Sequence, residues 1–280
     1  MPALTLLTDL GTAGHSASSV ESTLRKRVAG ADVVNISHHV ACFDVQQAAY
    51  LLRSAWGYFP PGSIHIALVD VFYNDAPALV LAAYEGHYFL APDNGILSLA
   101  FGDELQKVWL YRQWQSGITL QAWMEAAASL AADIIQGEDF ADSVSPHISI
   151  APPRLIEPRI TDKGVAECNV VYIDRFGNVV LNITRQKFTE TFGDRPFRIA
   201  LSRRDVITTV NRHYNEVPAG RVLCRFNAVG FLEIAINRGS AAEKFGLQPP
   251  QFRNVSYQVI TIEARSSARL PAGRVPLTLA

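Results

Sequence analysis

Four short blocks of the chain each set a carboxylate or an amide on a turn that follows an apolar run. They are Thr8-Asp9-Leu10-Gly11, Val69-Asp70, Ala91-Pro92-Asp93-Asn94-Gly95, and Asp174-Arg175-Phe176-Gly177-Asn178 running into Val179-Val180-Leu181-Asn182-Ile183. Open α/β sheets and β-hairpins present functional groups at such positions. A carboxylate there can accept hydrogen bonds or take a proton. An Asn amide can both donate and accept hydrogen bonds. Singly, each block has a plain structural explanation, since Asp caps helices and turns and Pro-Asp-Asn-Gly is a good β-turn. Their co-occurrence is what carries information. There is no dinucleotide-binding glycine fingerprint, P-loop, nucleophile elbow or H-E-x-x-H zinc motif. His38 and His39 are adjacent and so point to opposite faces of a strand, which prevents them from sharing a metal.

The elements that must position these blocks follow from periodicity. ALTLLT (3–8), ADVVNIS (31–37) and SIHIALVD (63–70) read as strands, and ALVLAAY and HYFLA flank Glu85-Gly86 as a two-residue hairpin. Ser18 and Glu21 form a capping box for a helix through Val28, Asp44 opens a second helix, and a third covers 121–135. Beyond the proline-rich stretch, AECNVVYID, NVVLNIT, FRIAL, VITTV, GRVLCRF, GFLEIAI and SYQVITIE are short β-rich runs. The expected architecture is an α/β N-terminal domain (1–145) with a central mixed sheet. A Pro-rich linker (146–160) and an all-β, barrel-like C-terminal domain (161–280) follow, the last residues (264–280) showing only weak periodicity.

Composition narrows the function classes. Of the 280 residues 49% are apolar and 18% charged, against ~25% charged in an average soluble chain, which indicates a sizeable core and excludes disorder. Twenty-five basic against 26 acidic residues, with no basic block, leave no footprint for nucleic acid. No uncharged apolar run approaches the ~18 residues of a membrane span. The start MPALTLLTDLG lacks a basic region and carries Asp9, so the expectation is a cytoplasmic protein without a signal peptide. Cys42, Cys168 and Cys224, odd in number and widely spaced, read as buried thiols.

Taken together the four blocks resemble the SAM hydroxide adenosyltransferase family, the adenosine-forming S-adenosylmethionine hydrolases related to fluorinase and chlorinase. The resemblance extends to Asn35-Ile36-Ser37-His38, Phe43-Asp44-Val45, Phe59-Pro60-Pro61-Gly62 and Gly230-Phe231-Leu232-Glu233-Ile234-Ala235, and so covers residues 3 to about 245. It implies a homotrimer whose nucleoside ligand sits between the N-terminal domain of one subunit and the C-terminal domain of the next. S-adenosylmethionine is then the substrate, and no cofactor is used. By the same resemblance Asp9 holds the ribose hydroxyls, Phe43 and Tyr214 are aromatic platforms near the adenine, and Asn178 reads the adenine edge. Ser16 and Asp174 serve the methionine end, and Asp70 matches the Asp of an Asp-Arg-His set that positions and activates water.

The other two members of that set have no counterpart. Pro77 stands where the Arg is expected, and no Arg occurs between Arg53 and Arg112. The His falls near Gln121, and no His occurs between His87 and His147. Gly14 and Val229 replace polar or charged residues at the methionine end, and Ala122 stands where a halogenating relative has a hydroxyl. The resemblance therefore implies hydrolysis of S-adenosylmethionine to adenosine and methionine, through Asp70. The alternatives are a catalytically weak or silent binder of adenosine or S-adenosylmethionine, and an enzyme acting on another 5′-substituted adenosyl compound.

Overall fold

In the computed structural model the described residues divide into two compact units, one before Glu157 and the other from Glu157 onward. The structure describes residues 2–112, 117–147, 150–151, 157–248 and 258–264. Parts of the proline-rich segment (148–149 and 152–156) and the tail 265–280 lie outside the described residues.

The first unit runs β1 (Ala3–Thr8), α1 (Ser16–Arg27), β2 (Asp32–Ser37), α2 (Val45–Ala55), β3 (Ile64–Leu68), β4 (Leu79–Tyr84), β5 (His87–Pro92), α3 (Ile96–Phe101), β6 (Lys107–Tyr111), α4 (Leu120–Gln136) and β7 (Val144–Pro146). Its strands form one sheet in the order β2-β1-β3-β5-β4-β6-β7. The β2-β1-β3-β5 part is parallel, and β4, β6 and β7 add antiparallel neighbours. Every residue of β1 and β3 is buried, because helices cover both faces. Leu4, Leu6, Ile64 and Ile66 pack with Val20 and Leu24 of α1 and the Trp123–Ala132 stretch of α4. Leu7, Ala67, Val69 and Phe89 pack with Ala48 and Leu52 of α2 and with Ile96 and Phe101 of α3. Asp44 caps α2 as expected, its Oδ1 accepting from Gln47 N at 2.9 Å. Glu85 (φ 46°) and Gly86 (φ 77°) both adopt the left-handed conformation that a tight hairpin needs. The Ser18–Glu21 box is not used. The helix starts earlier, at Ser16, which brings Ala17 into the core beside Val20 and Leu24, and Glu21 instead pairs with Arg25 at 2.8 Å.

The second unit comprises β8 (Arg159–Ile160), β9 (Val165–Ile173), β10 (Val179–Thr184), α5 (Arg185–Phe192), β11 (Phe197–Ala200), β12 (Val206–Ile207), β13 (Val210–Asn211), β14 (Val222–Phe226), β15 (Phe231–Ile236), α6 (Ala241–Phe245) and β16 (Val259–Ala264). The sheet order β12-β11-β16-β9-β10-β15-β14-β13 begins and ends on strands that follow each other in the chain, so the sheet curls into a nearly closed barrel. Cys168, Leu181, Ile199, Cys224, Leu232 and Ile262 fill its interior. VITTV, expected as one strand, is split into β12 and β13. Nor is the unit wholly β: α5 and α6 are capped by Thr184 and Ser240, and Phe188 and Phe192 of α5 join the core. Burial pushes the Cys168 and Cys224 thiols up to about 12. Cys42, expected to be buried, is exposed.

Candidate functional site

Because β1, β3 and β5 are parallel and in register (Thr8 beside Leu68, Ile66 beside Leu90), the turns after them emerge at one edge. Three sequence-predicted residues meet there. The Asp9 carboxylate accepts through a single oxygen, Oδ2, from the backbone N–H of Phe43 at 3.0 Å and of Asp70 at 3.3 Å. Phe43 (φ 65°) and Asp70 (φ 48°) are both left-handed, a conformation that strains a non-glycine residue by roughly 1–3 kcal/mol and persists where neighbours enforce it. Asp9 is such a neighbour to both. Asn94 Nδ2 donates to the carbonyls of Val69 (2.9 Å) and Asp70 (3.1 Å), so the Asp70 peptide is held from the opposite side by the Pro-Asp-Asn-Gly block. Asp9 Oδ1 takes no hydrogen bond among the described residues.

The surroundings are ordered from below. Thr8 Oγ1 lies 2.9 Å from His38 Nδ1 and accepts from Leu10 N at 3.3 Å, and Gly11 N donates to the His38 carbonyl at 2.7 Å. Burial lowers the His38 pKa, against the pull of the Glu21 charge. Asp93 accepts from Ala151 N at 2.7 Å, and its other oxygen lies 3.7 Å from His147 Nε2. Phe43 is 47% exposed and Phe72, two residues past Asp70, 52%, so this edge is both polar and aromatic. Ser16 opens α1, and no hydrogen bond among the described residues joins it to the Asp9 cluster. Pro77 is buried in the loop before β4. Gln121 is engaged at the surface, donating to Thr23 Oγ1 (3.3 Å) and Glu125 Oε1 (2.9 Å).

In the second unit Asp174, Asn178 and Tyr214 come together around Glu233, a residue to which sequence reasoning assigns no role. Asp174 Oδ1 accepts from the N–H groups of Phe176 and Asn178, and Oδ2 from Asn178 Nδ2, all at 2.9 Å. Asn178 is buried, and one amide hydrogen is committed to Asp174. The turn requires its glycine: at Gly177 (φ +76°) a Cβ would lie 2.0 Å from Ser240 Oγ. Tyr214 OH donates to Glu233 Oε1 at 2.8 Å. Burial raises the Glu233 pKa and Asp174 pushes the same way, against the Tyr214 hydrogen bond and the Arg225 charge. The one sequence signal for Glu233 is a carboxylate inside the apolar run GFLEIAI.

A mixed α/β unit with carboxylates at its parallel strand ends, together with a barrel bearing an Asp-Asn turn, defines a class with a known counterpart. The chain matches the SAM hydroxide adenosyltransferase N-terminal domain over residues 4–142 and the C-terminal domain of the same name over 168–252. It belongs to that family. Relatives named (R)-S-adenosyl-L-methionine hydrolase include one from Thermus thermophilus, 29% identical over 86% of this chain and 94% of the relative. Another, from Methanocaldococcus jannaschii, is 27% identical over 83% and 87%. Among solved structures, an uncharacterized conserved protein from Thermotoga maritima superposes with a TM-score of 0.77 at 23% identity, covering 92% of this chain and 99% of that one. A conserved hypothetical protein from Thermus thermophilus gives 0.69 at 25% identity, covering 95% and 100%. No helix among the described residues is long and apolar enough to cross a membrane.

Proposed function

We propose that this chain hydrolyses S-adenosyl-L-methionine to adenosine and L-methionine. The observation that carries the reading is the Asp9 carboxylate, which ties Phe43 and Asp70 to one oxygen and leaves the other for a ribose diol. The names of the relatives support the substrate. In the reaction a water oxygen forms a bond to the ribose 5′ carbon while the bond from that carbon to the sulfonium breaks. The electron pair leaves with sulfur as a neutral thioether, and the water proton passes to Asp70 and then to solvent. Such a leaving group needs no acid, and loss of the cation in the transition state favours a dry, aromatic-lined site. The protein's work is to hold the adenosine through Asp9, Phe43, Asn178 and Tyr214, to hold the amino-acid end through Ser16 and Asp174, and to align the nucleophile on Asp70.

The half-sites of the two units are completed between copies of the chain in a homotrimer, a reading supported by the exposed aromatics Phe43 and Phe72 in one and Phe176 and Tyr214 in the other. No cofactor, nucleic acid or membrane partner is part of this proposal, and free thiols agree with a cytoplasmic location. Pro77 and Gln121 favour a second reading, a binder of adenosine or S-adenosylmethionine with little turnover. Without the Arg and His, the rate should fall at least ~10²-fold below that of a member carrying both.

Incubation with S-adenosylmethionine, including the (R)-sulfonium form that the relatives' names specify, with adenosine followed by chromatography, tests both. Turnover that Asp70→Asn removes while adenosine still binds supports the hydrolase. Binding without turnover establishes the second reading, and absence of both binding and turnover refutes the family site in this chain.

A further inference from the structure

The outer face of the barrel carries a cation, Arg225, that forms no close ion pair among the described residues, although its charge acts on Glu233 directly opposite it. Pairing register lines up Tyr172, Val180, Glu233 and Arg225 across four neighbouring strands, β9, β10, β15 and β14, so their side chains share one face. The Arg225 guanidinium lies over the Tyr214 ring, 4.7 Å from its centroid, and Tyr214 in turn is bonded to Glu233. Arg225 Nε is buried without a hydrogen-bond partner among the described residues. A half-buried arginine normally satisfies its fork of donors, because an unpaired buried donor is expensive. Stacking on Tyr214 fixes the plane of the fork and leaves Nε without a partner.

We infer that Arg225 is the receptor for the α-carboxylate of the substrate's amino-acid end. The inference rests on the proposed substrate. A planar carboxylate meets a guanidinium edge through two parallel hydrogen bonds, the geometry that a point charge such as Lys does not offer. The same cluster holds Asp174, a carboxylate suited to the substrate's ammonium, so a zwitterion would find an anion and a cation on one patch. Arg225 thereby compensates for Gly14 and Val229, where the methionine end has lost its expected polar groups. Tyr214 serves twice, presenting one ring face to Arg225 and the other to a ligand.

The test is calorimetry with two probes that differ in the amino-acid end and do not turn over by sulfonium displacement. S-adenosyl-L-homocysteine carries the carboxylate, and 5′-methylthioadenosine lacks it. Arg225→Gln should weaken S-adenosylhomocysteine about 10- to 100-fold, the loss of a charge-assisted hydrogen-bonded pair, and change methylthioadenosine less than about threefold. Arg225→Lys, which keeps the charge and the stem, should show the same selectivity with a smaller loss, and it stands in if the Gln variant does not fold. Equal weakening of both probes would show that Arg225 only props Tyr214, and unchanged binding of both would remove it from the site. Either result overturns the inference and leaves the nucleoside reading standing. A wild-type protein that binds neither probe overturns both.

Discussion

If Asp9 both braces two strained turns and receives the ribose diol, replacing it should have two separable effects. Asp9→Ala removes the acceptor of the Phe43 and Asp70 N–H bonds at 3.0 and 3.3 Å. A hydrogen bond to a charged group contributes ~1.5–3 kcal/mol, and partial exposure and the longer distance bring each nearer ~1 kcal/mol. A loss of ~2 kcal/mol should lower the unfolding midpoint of the first unit by about 4–8 °C. Binding is then read with adenosine and with 2′,3′-dideoxyadenosine. For adenosine the substitution should weaken affinity ~10- to 100-fold; for the dideoxy compound, which has no diol to lose, less than about threefold. That non-additivity is the signature of a direct contact. Asp9→Asn should keep most of the stability, because its remaining oxygen can still accept from the two amides, yet turn an amide nitrogen toward the diol and weaken adenosine. Equal losses for the two nucleosides would reduce Asp9 to a brace. An unchanged midpoint in Asp9→Ala would show that the turns at Phe43 and Asp70 hold themselves.

Two further outcomes concern the framework. His65 is fully buried between Thr5 Oγ1 (2.9 Å) and His87 (3.1 Å), and burial with the neighbouring His87 charge drives its pKa down to about 3. The unfolded chain takes up this proton near pH 6.5 and the native state does not. Stability is therefore full above that pH and falls by ~1.4 kcal/mol per unit below it, or ~2 kcal/mol at pH 5. Urea midpoints at pH 7 and 5 should show a smaller drop in His65→Gln by about that amount, and parallel pH dependences would refute the account. Gly177→Ala places a Cβ 2.0 Å from Ser240 Oγ at φ +76°, and should destabilise the barrel by ~3 kcal/mol or more, with partial recovery on adding Ser240→Gly. A midpoint within a degree of wild type would show that the turn yields instead.

What the sequence made legible, and what it hid, follows from how each feature is encoded. Local signals were sufficient for β1, β3 and the Glu85-Gly86 hairpin, because apolar runs and left-handed turn residues act within a few positions. The Ser18–Glu21 box misled because burial of Ala17 outweighed a cap of about 1 kcal/mol. Glu233 and Arg225 were invisible as a pair. Arg225 reads as an ordinary strand polar residue and Glu233 only as a carboxylate in an apolar run, and only the register Arg225 beside Glu233 brings them together. His65 and His87 likewise meet only because β3 and β5 are parallel neighbours. The same distinction separates the edge around Asp70 from the two positions where the family resemblance expects an Arg and a His. The Asp9 and Asn94 side chains hold the Asp70 backbone from its N–H and its carbonyl, so losing either disturbs the sheet edge itself. The Arg and His positions fall in a loop and on the first turn of α4, where Pro77 is buried without difficulty and Gln121 has found Thr23 and Glu125. Pro77→Arg with Gln121→His should thus leave adenosine affinity unchanged, and any gain in turnover would have to come from the water rather than from the nucleoside.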